Sequence, residues 1–267
     1  MGRIRTAALV GAAIVSFPSA VAFAADIPEV PPPVHFGGNW YLRGDIGFSN
    51  QAVGSLFNVL DATATTLDTV SKNFEAAPFA GLGIGYKIDD HFRVDFTGEY
   101  RAGSTFHGLQ VYTAPGPTSG TDEYTAVKTA WTFLANAYWD FASWGPVTPF
   151  VGAGIGASYN TISGFTDVNT PNAGVAYGGT ASQVSLAWAL YAGVGYQVTP
   201  NLTLEAAYRY INLGNARSGD LVPYTGPNAV DNPEEFHSIT SHDFKVGFRY
   251  AFGGGSSDSY YPPVVKY

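Results

Sequence analysis

The sequence contains no cysteine in 267 residues, which excludes disulfide frameworks, thiolate metal sites and thiol redox motifs. Charge is also scarce: 13% of the residues are charged, where an ordinary soluble domain has about 25%. The 13 Lys and Arg residues stand against 21 Asp and Glu residues, for a formal net charge of −8. The basic surface that nucleic-acid binding requires is therefore missing, and we expect no nucleic-acid partner.

Long apolar runs are absent as well. No stretch of about 20 apolar residues occurs, so helical membrane spans are excluded. Aromatic residues nevertheless make up 15% of the chain, and glycine occurs 32 times. An apolar composition without a spanning helix is typical of alternating strands that face lipid on one side and water on the other.

The first 24 residues have the features of a secretory signal peptide. Arg3 and Arg5 precede an apolar stretch from Ala7 to Val15, and Ala22-Phe23-Ala24 fits a cleavage site. The apolar stretch is too short to serve as a membrane anchor. Removing residues 1–24 leaves 11 basic against 21 acidic residues, a net charge of −10.

The remaining chain divides into three parts. Residues 25–38 are rich in proline and are predicted to be an extended periplasmic lead-in. Residues 39–252 carry the recurring strand pattern, and residues 253–267 form a Gly/Ser-rich, proline-containing tail predicted to be flexible.

Eight segments alternate with a period of two, with large apolar side chains on one parity and charges or glycines on the other. In the clearest segment, Phe92, Val94 and Phe96 alternate with Arg93, Asp95 and Thr97. The predicted strands are residues 40–48, 79–88, 92–101, 129–140, 147–160, 183–198, 202–210 and 238–252.

The connections between these segments alternate in length. Three are short: residues 89–91, 141–146 and 199–201. The other four are long and polar: residues 49–73, 102–128, 161–182 and 212–237. Short periplasmic turns and long extracellular loops are the outer-membrane arrangement, so we predict an all-β, eight-stranded antiparallel transmembrane β-barrel.

Alternation alone does not decide which face is inside, and a soluble eight-stranded lipocalin would alternate too. A lipocalin buries its aromatic residues, whereas a membrane barrel presents them to lipid and encloses its charges. Aromatic residues at the strand ends favour the membrane barrel, because they would form interfacial girdles. These residues are Trp40, Tyr86, Tyr100, Trp139, Tyr196 and Tyr250.

Several motifs, in their order and spacing, resemble the small porin-like outer-membrane β-barrel proteins of the opacity and surface-antigen type. They are the Pro-rich start leading into residues 39–47 (NWYLRGDIG), residues 148–154 (TPFVGAG), residues 192–196 (AGVGY), residues 204–210 (LEAAYRY) with Leu213-Gly214, and residues 242–252 (HDFKVGFRYAF). The resemblance implies location in the outer membrane of a Gram-negative bacterium, surface exposure, a role in envelope integrity, and no shared catalytic residues.

The last motif resembles the aromatic-ended signal by which the barrel-assembly machinery recognises its clients. Its residues are Phe244, Val246, Phe248, Tyr250 and Phe252. Members of the family usually end at the final aromatic residue, whereas this chain continues beyond Phe252. The resemblance thus implies the assembly machinery, membrane lipid and lipopolysaccharide as partners.

Charges of both signs share the parity predicted to face inward. They are Arg43, Asp45, Lys87, Arg93, Asp95, Glu99, Arg101, Asp140, Glu205, Arg209, Lys245 and Arg249. The interior of an eight-stranded barrel is just filled by side chains, so these charges should pair with one another. We specifically predict a pair between Glu205 and Arg249.

Paired luminal charges predict little or no conduction. Water or small ions could pass only through gaps beside the luminal glycines. We expect instead that these glycines serve the tight packing of the barrel interior. These are Gly81, Gly83, Gly152, Gly154, Gly193 and Gly195.

No catalytic, cofactor or metal site is evident. The glycines of residues 152–156 precede no helix and no Lys-Ser/Thr pair, and the five histidines are scattered. His237, Ser238, Ser241, His242 and Asp243 cluster near the predicted outer rim, but His242 takes the parity opposite to Ser241 and Asp243. Acidic residues of the loops could gather divalent cations beside lipopolysaccharide phosphates, although solvated acidic loops are commoner. They are Asp61, Asp68, Asp122, Glu123, Asp167, Asp220, Asp231, Glu234 and Glu235.

Three functions remain from the sequence. The first is a structural and surface-interaction barrel whose loops contact host, phage or cell-surface ligands. The second is a narrow diffusion pore for small solutes, and the third is a hydrolase at the rim. We favour the first function and expect a protein that is not an enzyme.

Overall fold

A computed structural model describes residues 38–115 and 119–252. The predicted signal peptide (1–24), residues 25–37 of the lead-in and the tail (253–267) lie outside these described residues. No helix in the two described ranges has the length and apolarity to cross a membrane.

The described residues form eleven antiparallel strands in one sheet. The strands are β1 Trp40–Phe57, β2 Thr66–Phe74, β3 Ala77–Lys87, β4 Phe92–Thr113, β5 Ser119–Asp140, β6 Val147–Asn169, β7 Gly174–Gly178, β8 Ala181–Gln197, β9 Leu202–Arg217, β10 Leu221–Pro223 and β11 Glu235–Ala251. A short 3₁₀-helix, Val59–Thr63, follows β1.

Eight of these strands close into a ring, as predicted. The order is β1, β3, β4, β5, β6, β8, β9 and β11. The ring closes where β11 returns to β1, in a continuous register from Tyr41 opposite Ala251 to Phe57 opposite Glu235. The all-β barrel with eight wall strands is therefore confirmed.

The two parities of each strand lie on opposite sides of the wall. On β1, Ile46 and Phe48 are exposed on the outer surface (62% and 67%), whereas Arg43 and Asp45 are buried in the interior (1% and 5%). A soluble barrel would place these groups the other way round. The burial pattern therefore agrees with lipid outside and charges inside.

The strands extend far beyond the segments that the alternation delimits. Both β4 and β5 are 22 residues long, and β6 has 23, whereas crossing a membrane takes about 9–11 residues per strand. Much of the four connections predicted as long loops is therefore strand, and the barrel wall continues outside the membrane. The unpaired parts that remain are short, apart from the segment between β10 and β11.

Irregularities in four wall strands, β4, β6, β9 and β11, lie between the two halves of the barrel. The β4–β5 register shifts between Arg101 and Ser104. In other strands the chain takes a positive φ, at Gly164 (60°), Gly214 (71°) and Ser238 (54°). Each bulge adds one residue and so exchanges the inward and outward parities.

Around and beyond these irregularities, apolar side chains point inward. The buried set is Val53, Phe74, Phe106, Tyr124, Ala126, Ile162, Phe165, Ile211, Leu213, Ala216, Phe236 and Ile239. The ring of Phe106 lies 5.0 Å from that of Phe74 and 4.9 Å from that of Phe236, centroid to centroid. The outer half of the barrel is therefore packed like a soluble protein, with its core inside.

Candidate functional site

Ion pairs fill the part of the barrel interior that lies within the membrane. Six basic and six acidic side chains take part, so that their charges balance. They are Arg43, Arg93, Arg101, Arg209, Lys245 and Arg249 with Asp45, Asp95, Glu99, Asp140, Glu205 and Asp243. We call this set the inner charge network.

Glu205 is the centre of the periplasmic part of this network. Guanidinium nitrogens of Arg43, Arg93 and Arg249 each lie 3.3 Å from one of its carboxylate oxygens. The Glu205–Arg249 pair predicted from the sequence is thus present. Glu205 Oε1 makes no aligned hydrogen bond, so charge attraction dominates this contact.

Aromatic rings enclose one of these cations. The guanidinium of Arg93 lies 4.1 Å from the ring centroid of Tyr138 and 4.6 Å from that of Phe150. Such cation–π contacts stabilise a cation that has lost its water. Arg93 also lies 3.2 Å from Asp140.

The middle part of the network is organised around Glu99 and Asp243. Arg209 lies 2.7 Å from each of these carboxylates, and Arg101 lies 2.6 Å from Asp243. Lys245 lies 3.8 Å from Glu99 and 3.2 Å from Asp45. All six of these side chains are nearly or fully removed from solvent, so each charge depends on its partners.

The sequence prediction differs from the structure at three positions. Lys87 is not enclosed: its side chain is half exposed and pairs with Asp90 at 2.8 Å, because it ends β3 at the mouth. Asp243 and Lys128 were missing from the predicted charge set. The parity of Asp243, shared with Lys245 and Arg249, could have revealed it, whereas Lys128 was assigned to a loop.

The luminal glycines leave no open gap. A Cβ atom at Gly152 would come within 2.5 Å of the Tyr138 ring, and one at Gly193 within 2.7 Å of the Phe150 ring. At Gly81 the clash would be with the Glu99 side chain. These glycines accommodate large neighbouring side chains, in agreement with tight packing.

A cavity of about 340 Å³ lies at the outer end of the barrel. Carboxylates of Asp61, Asp122 and Asp167 line it. Asn58 also lines it and donates a hydrogen bond from Nδ2 to Glu234 Oε2, at 3.3 Å. We call this cavity the acidic chamber; Glu234 is not among its lining residues but accepts the hydrogen bond from Asn58 in its wall.

The chamber destabilises negative charge. Burial, together with repulsion from Asp61, raises the pKa of Asp122 to about 6. Burial and repulsion from Asp122 raise the pKa of Asp167 to about 7. Burial and repulsion from the other three carboxylates raise the pKa of Glu234 to about 8.

The outer-rim histidine cluster has no catalytic geometry in the structure. His242 is exposed on the outer surface, with Nδ1 2.6 Å from the hydroxyl of Tyr208. Ser241 and Asp243 face the interior and are fully buried. Within the described residues, no group of three or more His, Asp or Glu side chains is arranged to hold a metal ion.

The residues of the predicted assembly signal all lie on the outer surface of β11 and the turn that follows it. Phe244, Val246, Phe248, Tyr250 and Phe252 are exposed along one face. They form part of the apolar surface of the barrel.

The sequence is similar to known outer-membrane proteins over most of its length. Residues 9–252 match the outer membrane protein β-barrel domain. A protein of Brucella suis biovar 1 is 30% identical over 265 residues, covering 84% of this chain and 87% of the relative.

Two further relatives have descriptive names. The outer membrane protein PagN of Salmonella typhimurium is 30% identical over 224 residues, covering 79% of this chain and 89% of PagN. A protein of Rickettsia prowazekii that is provisionally named an adhesin is 29% identical over 217 residues, covering 79% and 86% of the two chains.

The closed ring of eight strands, the apolar outer surface and the family match agree with one another. The chain belongs to the outer membrane protein β-barrel family and is located in the outer membrane.

Proposed function

We propose that this protein is a closed outer-membrane barrel that acts at the cell surface, by contact with molecules or cells outside, and is not an enzyme. One observation carries the proposal: the wall continues beyond the membrane and encloses a hydrophobic core. A pore would need a water-filled interior in this outer part of the barrel. A rigid platform for surface contacts needs a packed core instead. The inner charge network closes the membrane part as well.

The outer end offers side chains suited to contact. Tyr177 on β7 and Tyr224 after β10 are 50% and 76% exposed, and their ring centroids lie 6.5 Å apart. Exposed tyrosines provide large contact areas with little loss of conformational freedom. The relative provisionally named an adhesin supports a role in attachment.

Lipid and the assembly machinery are the other proposed partners. The apolar outer surface is suited to membrane lipid, and lipopolysaccharide would meet its outer rim. The aromatic face of β11 would serve as the recognition segment for barrel assembly.

Planar-bilayer recording tests whether the barrel is closed. The purified mature protein should give no steady nanosiemens openings. Regular openings from pure protein would contradict the closed barrel and favour the pore.

Attachment can be tested with displaying bacteria. A non-adhering strain that displays the protein should attach to an epithelial cell layer, and Tyr177→Ser with Tyr224→Ser should reduce attachment several-fold. Asp90→Asn is the matched control, because Asp90 is exposed at the periplasmic end. Equal attachment with and without the displayed barrel would contradict the proposed contact role.

A further inference from the structure

We propose that the outer part of the barrel wall takes up one additional β-strand, an extended segment of a protein outside the cell in which basic and apolar side chains alternate. The incoming strand pairs with an edge of β2 that has no neighbour. This inference deepens the proposed surface-contact function and rests on it. The occupant is identified by backbone pairing, by charge and by the two faces of β2.

The barrel wall is split on one side of its outer part. In the membrane part, β1 pairs with β3 up to Ser49 opposite Ala77. Further out, β2 replaces β3 as the neighbour of β4, while β1 continues to Phe57 with β11 on its other side. The register between β1 and β2 contains a single pair, Ala52 with Asn73. Beyond this pair the two strands are not joined, and we call the gap between them the wall split.

The split leaves β2 with one paired edge and one free edge. On the β4 side the ladder runs along the whole strand, and the register passes over Val70 as a bulge. On the opposite side, no strand of the described residues pairs with residues 66–72. A strand edge without a neighbour presents a row of backbone N–H and C=O groups, and an extended peptide can pair with them.

A contact at the base of the split shows how one backbone acceptor is served there. Lys72 of β2 donates a hydrogen bond from Nζ to the backbone oxygen of Gly54 on β1. A side chain, rather than a backbone N–H of β2, thus reaches this acceptor. Gly54 and the adjacent Ser55 are exposed, so the split is open to water at this level.

Apolar side chains beside the split are exposed. They lie at the end of β1, on the 3₁₀-helix and on β2, and between 37% and 58% of each is accessible. They are Phe57, Val59, Leu60, Leu67 and Val70. Because this part of the wall lies outside the membrane, lipid does not cover them. Clustered apolar side chains on a water-facing surface mark a place of contact with another molecule.

The two faces of β2 select the side chains of the incoming strand. Asp68 is exposed on the outer face, where it lies opposite Val111 of β4. Leu67, the preceding residue, lines the acidic chamber and so lies on the inner face. Neighbouring strands stabilise each other when opposite charges or two apolar side chains are adjacent. The incoming strand therefore places a basic residue beside Asp68 and an apolar residue beside Leu67.

Negative charge around the split favours a basic strand over a second copy of this chain. Residues 53–75, which flank the split, contain Asp61, Asp68 and Glu75 but a single Lys or Arg, Lys72. The Lys72 ammonium is already bound to Gly54. A second copy would bring the same acidic residues to the edge, and like charges on neighbouring strands repel each other.

The experiment titrates the full mature protein in detergent micelles with the peptide acetyl-Lys-Val-Lys-Val-Lys-Val-Lys-amide, which is as long as the free edge at residues 66–72. Calorimetry at pH 7 and low salt should detect binding. The counterpart with Glu in place of each Lys should bind at least about tenfold more weakly, because it meets like charges. Absence of binding by the basic peptide, or equal binding by the two peptides, would overturn the proposal.

Two methylated peptides test the backbone pairing. One carries N-methyl groups at its valines and the other at its lysines, so that each keeps all side chains but loses the N–H donors of one strand edge. One of them should bind at least about tenfold more weakly than the parent peptide. Equal binding by all three peptides would show contact through side chains alone and would contradict strand pairing.

Amide hydrogen exchange locates the bound peptide. At saturation, exchange in residues 66–72 should slow at least about tenfold, because the free N–H groups of β2 gain partners. Exchange in the periplasmic turn at residues 199–201 should stay the same. Protection confined to another part of the barrel would contradict pairing with β2.

A single introduced thiol tests the site directly, because the chain contains no cysteine. Val70→Cys changes one exposed side chain on β2 and should bind the peptide as the wild type does. Coupling this thiol to a maleimide with a bulky polyethylene glycol chain should weaken binding at least about tenfold, because the chain covers the free edge. Thr225→Cys with the same label is the matched control, because Thr225 is exposed between β10 and β11. Equal affinities of the two labelled proteins would place the peptide elsewhere and overturn the inference.

Sedimentation in micelles tests the other occupant, a second copy of this chain. We expect the protein without peptide to be a monomer. A dimer that separates when Val70→Cys is labelled would show that the free edge pairs with another copy, and this result would overturn the inference of a foreign strand.

The outcomes separate this inference from the proposed function. Failure of the peptide titrations leaves the bilayer and attachment results intact. Conversely, peptide binding without any cell attachment would contradict the surface-contact role but not the pairing of a strand with β2.

Discussion

At the residue scale, the number of partners decides what each buried charge contributes. Arg209 is fully buried and lies between Glu99 and Asp243. Arg249 is partly exposed at the periplasmic mouth and shares Glu205 with Arg43 and Arg93. Loss of Arg209 removes one counterion from each of two carboxylates. Loss of Arg249 leaves Glu205 with two counterions, Arg43 and Arg93.

We therefore predict that Arg209→Ala is much more damaging than Arg249→Ala. Breaking a buried ion pair costs about 3–5 kcal/mol. Loss of the partly exposed Arg249 should cost about 1 kcal/mol or less, because Glu205 keeps Arg43 and Arg93 as counterions. Urea unfolding in lipid vesicles and heat-dependent gel mobility measure the difference. Equal stability losses in the two variants would contradict the description of the network.

The charge network was largely accessible from the sequence, because parity along a strand determines which side chains share the interior. The partner of each charge could not be predicted from the sequence. Arg209 and Glu99 belong to strands far apart in the chain, and only the closed ring brings them to 2.7 Å.

At the scale of the element, irregularities divide four of the wall strands, β4, β6, β9 and β11, into a membrane part and an outer part. Gly164 and Gly214 both take a positive φ, and they differ in their surroundings. A Cβ atom at Gly164 would meet nothing within 4 Å, whereas one at Gly214 would collide with the Ser185 side chain and lie 2.9 Å from the Leu186 carbonyl oxygen.

Alanine substitutions should separate these two effects. Gly164→Ala should cost about 1–2 kcal/mol, the conformational penalty alone. Gly214→Ala should cost about 3 kcal/mol, because strain and collision add. The measurement is urea unfolding in vesicles, with Gly145→Ala in a periplasmic turn as a further positive-φ control. A smaller loss at Gly214 than at Gly164 would show that β8 and β9 move apart freely.

In the four bulged strands, the change of parity also explains why the sequence predicted loops where the strands continue. Past Arg101 the apolar residues of β4 change parity and become sparser among polar ones. The alternation with a single outward parity therefore ends there. The membrane part, where lipid enforces a single parity, was predicted to within one residue at its periplasmic ends.

At the scale of the whole molecule, two different sets of side chains fill the barrel interior, one after the other along its axis; we call them the two fillings. The inner charge network closes the membrane part, and the aromatic core closes the outer part. Lys128, which is buried and donates to Gln51 at 2.8 Å, lies on β5 between Ala126 of the aromatic core and the strand segment that carries the charge network.

Removing one filling should therefore leave the barrel closed. Phe106→Ala with Phe236→Ala should lower stability by several kcal/mol, because each buried ring lost costs about 3–5 kcal/mol, yet bilayer recordings should remain silent. Adding Arg209→Ala and Asp243→Ala should produce intermittent openings. Conduction in the aromatic double variant alone would show that the charge network does not seal the barrel.

The sequence by itself determined the strand number, the closed topology, the side of the wall that each residue faces in the membrane, and the outer-membrane location. These follow from period-two alternation, which lipid and a filled interior enforce residue by residue. Only the tertiary structure decided the ion-pair partners, the extension of the barrel beyond the membrane and the gathering of Asp61, Asp122, Asp167 and Glu234. Those features depend on register between distant strands and on bulges, which no local pattern encodes.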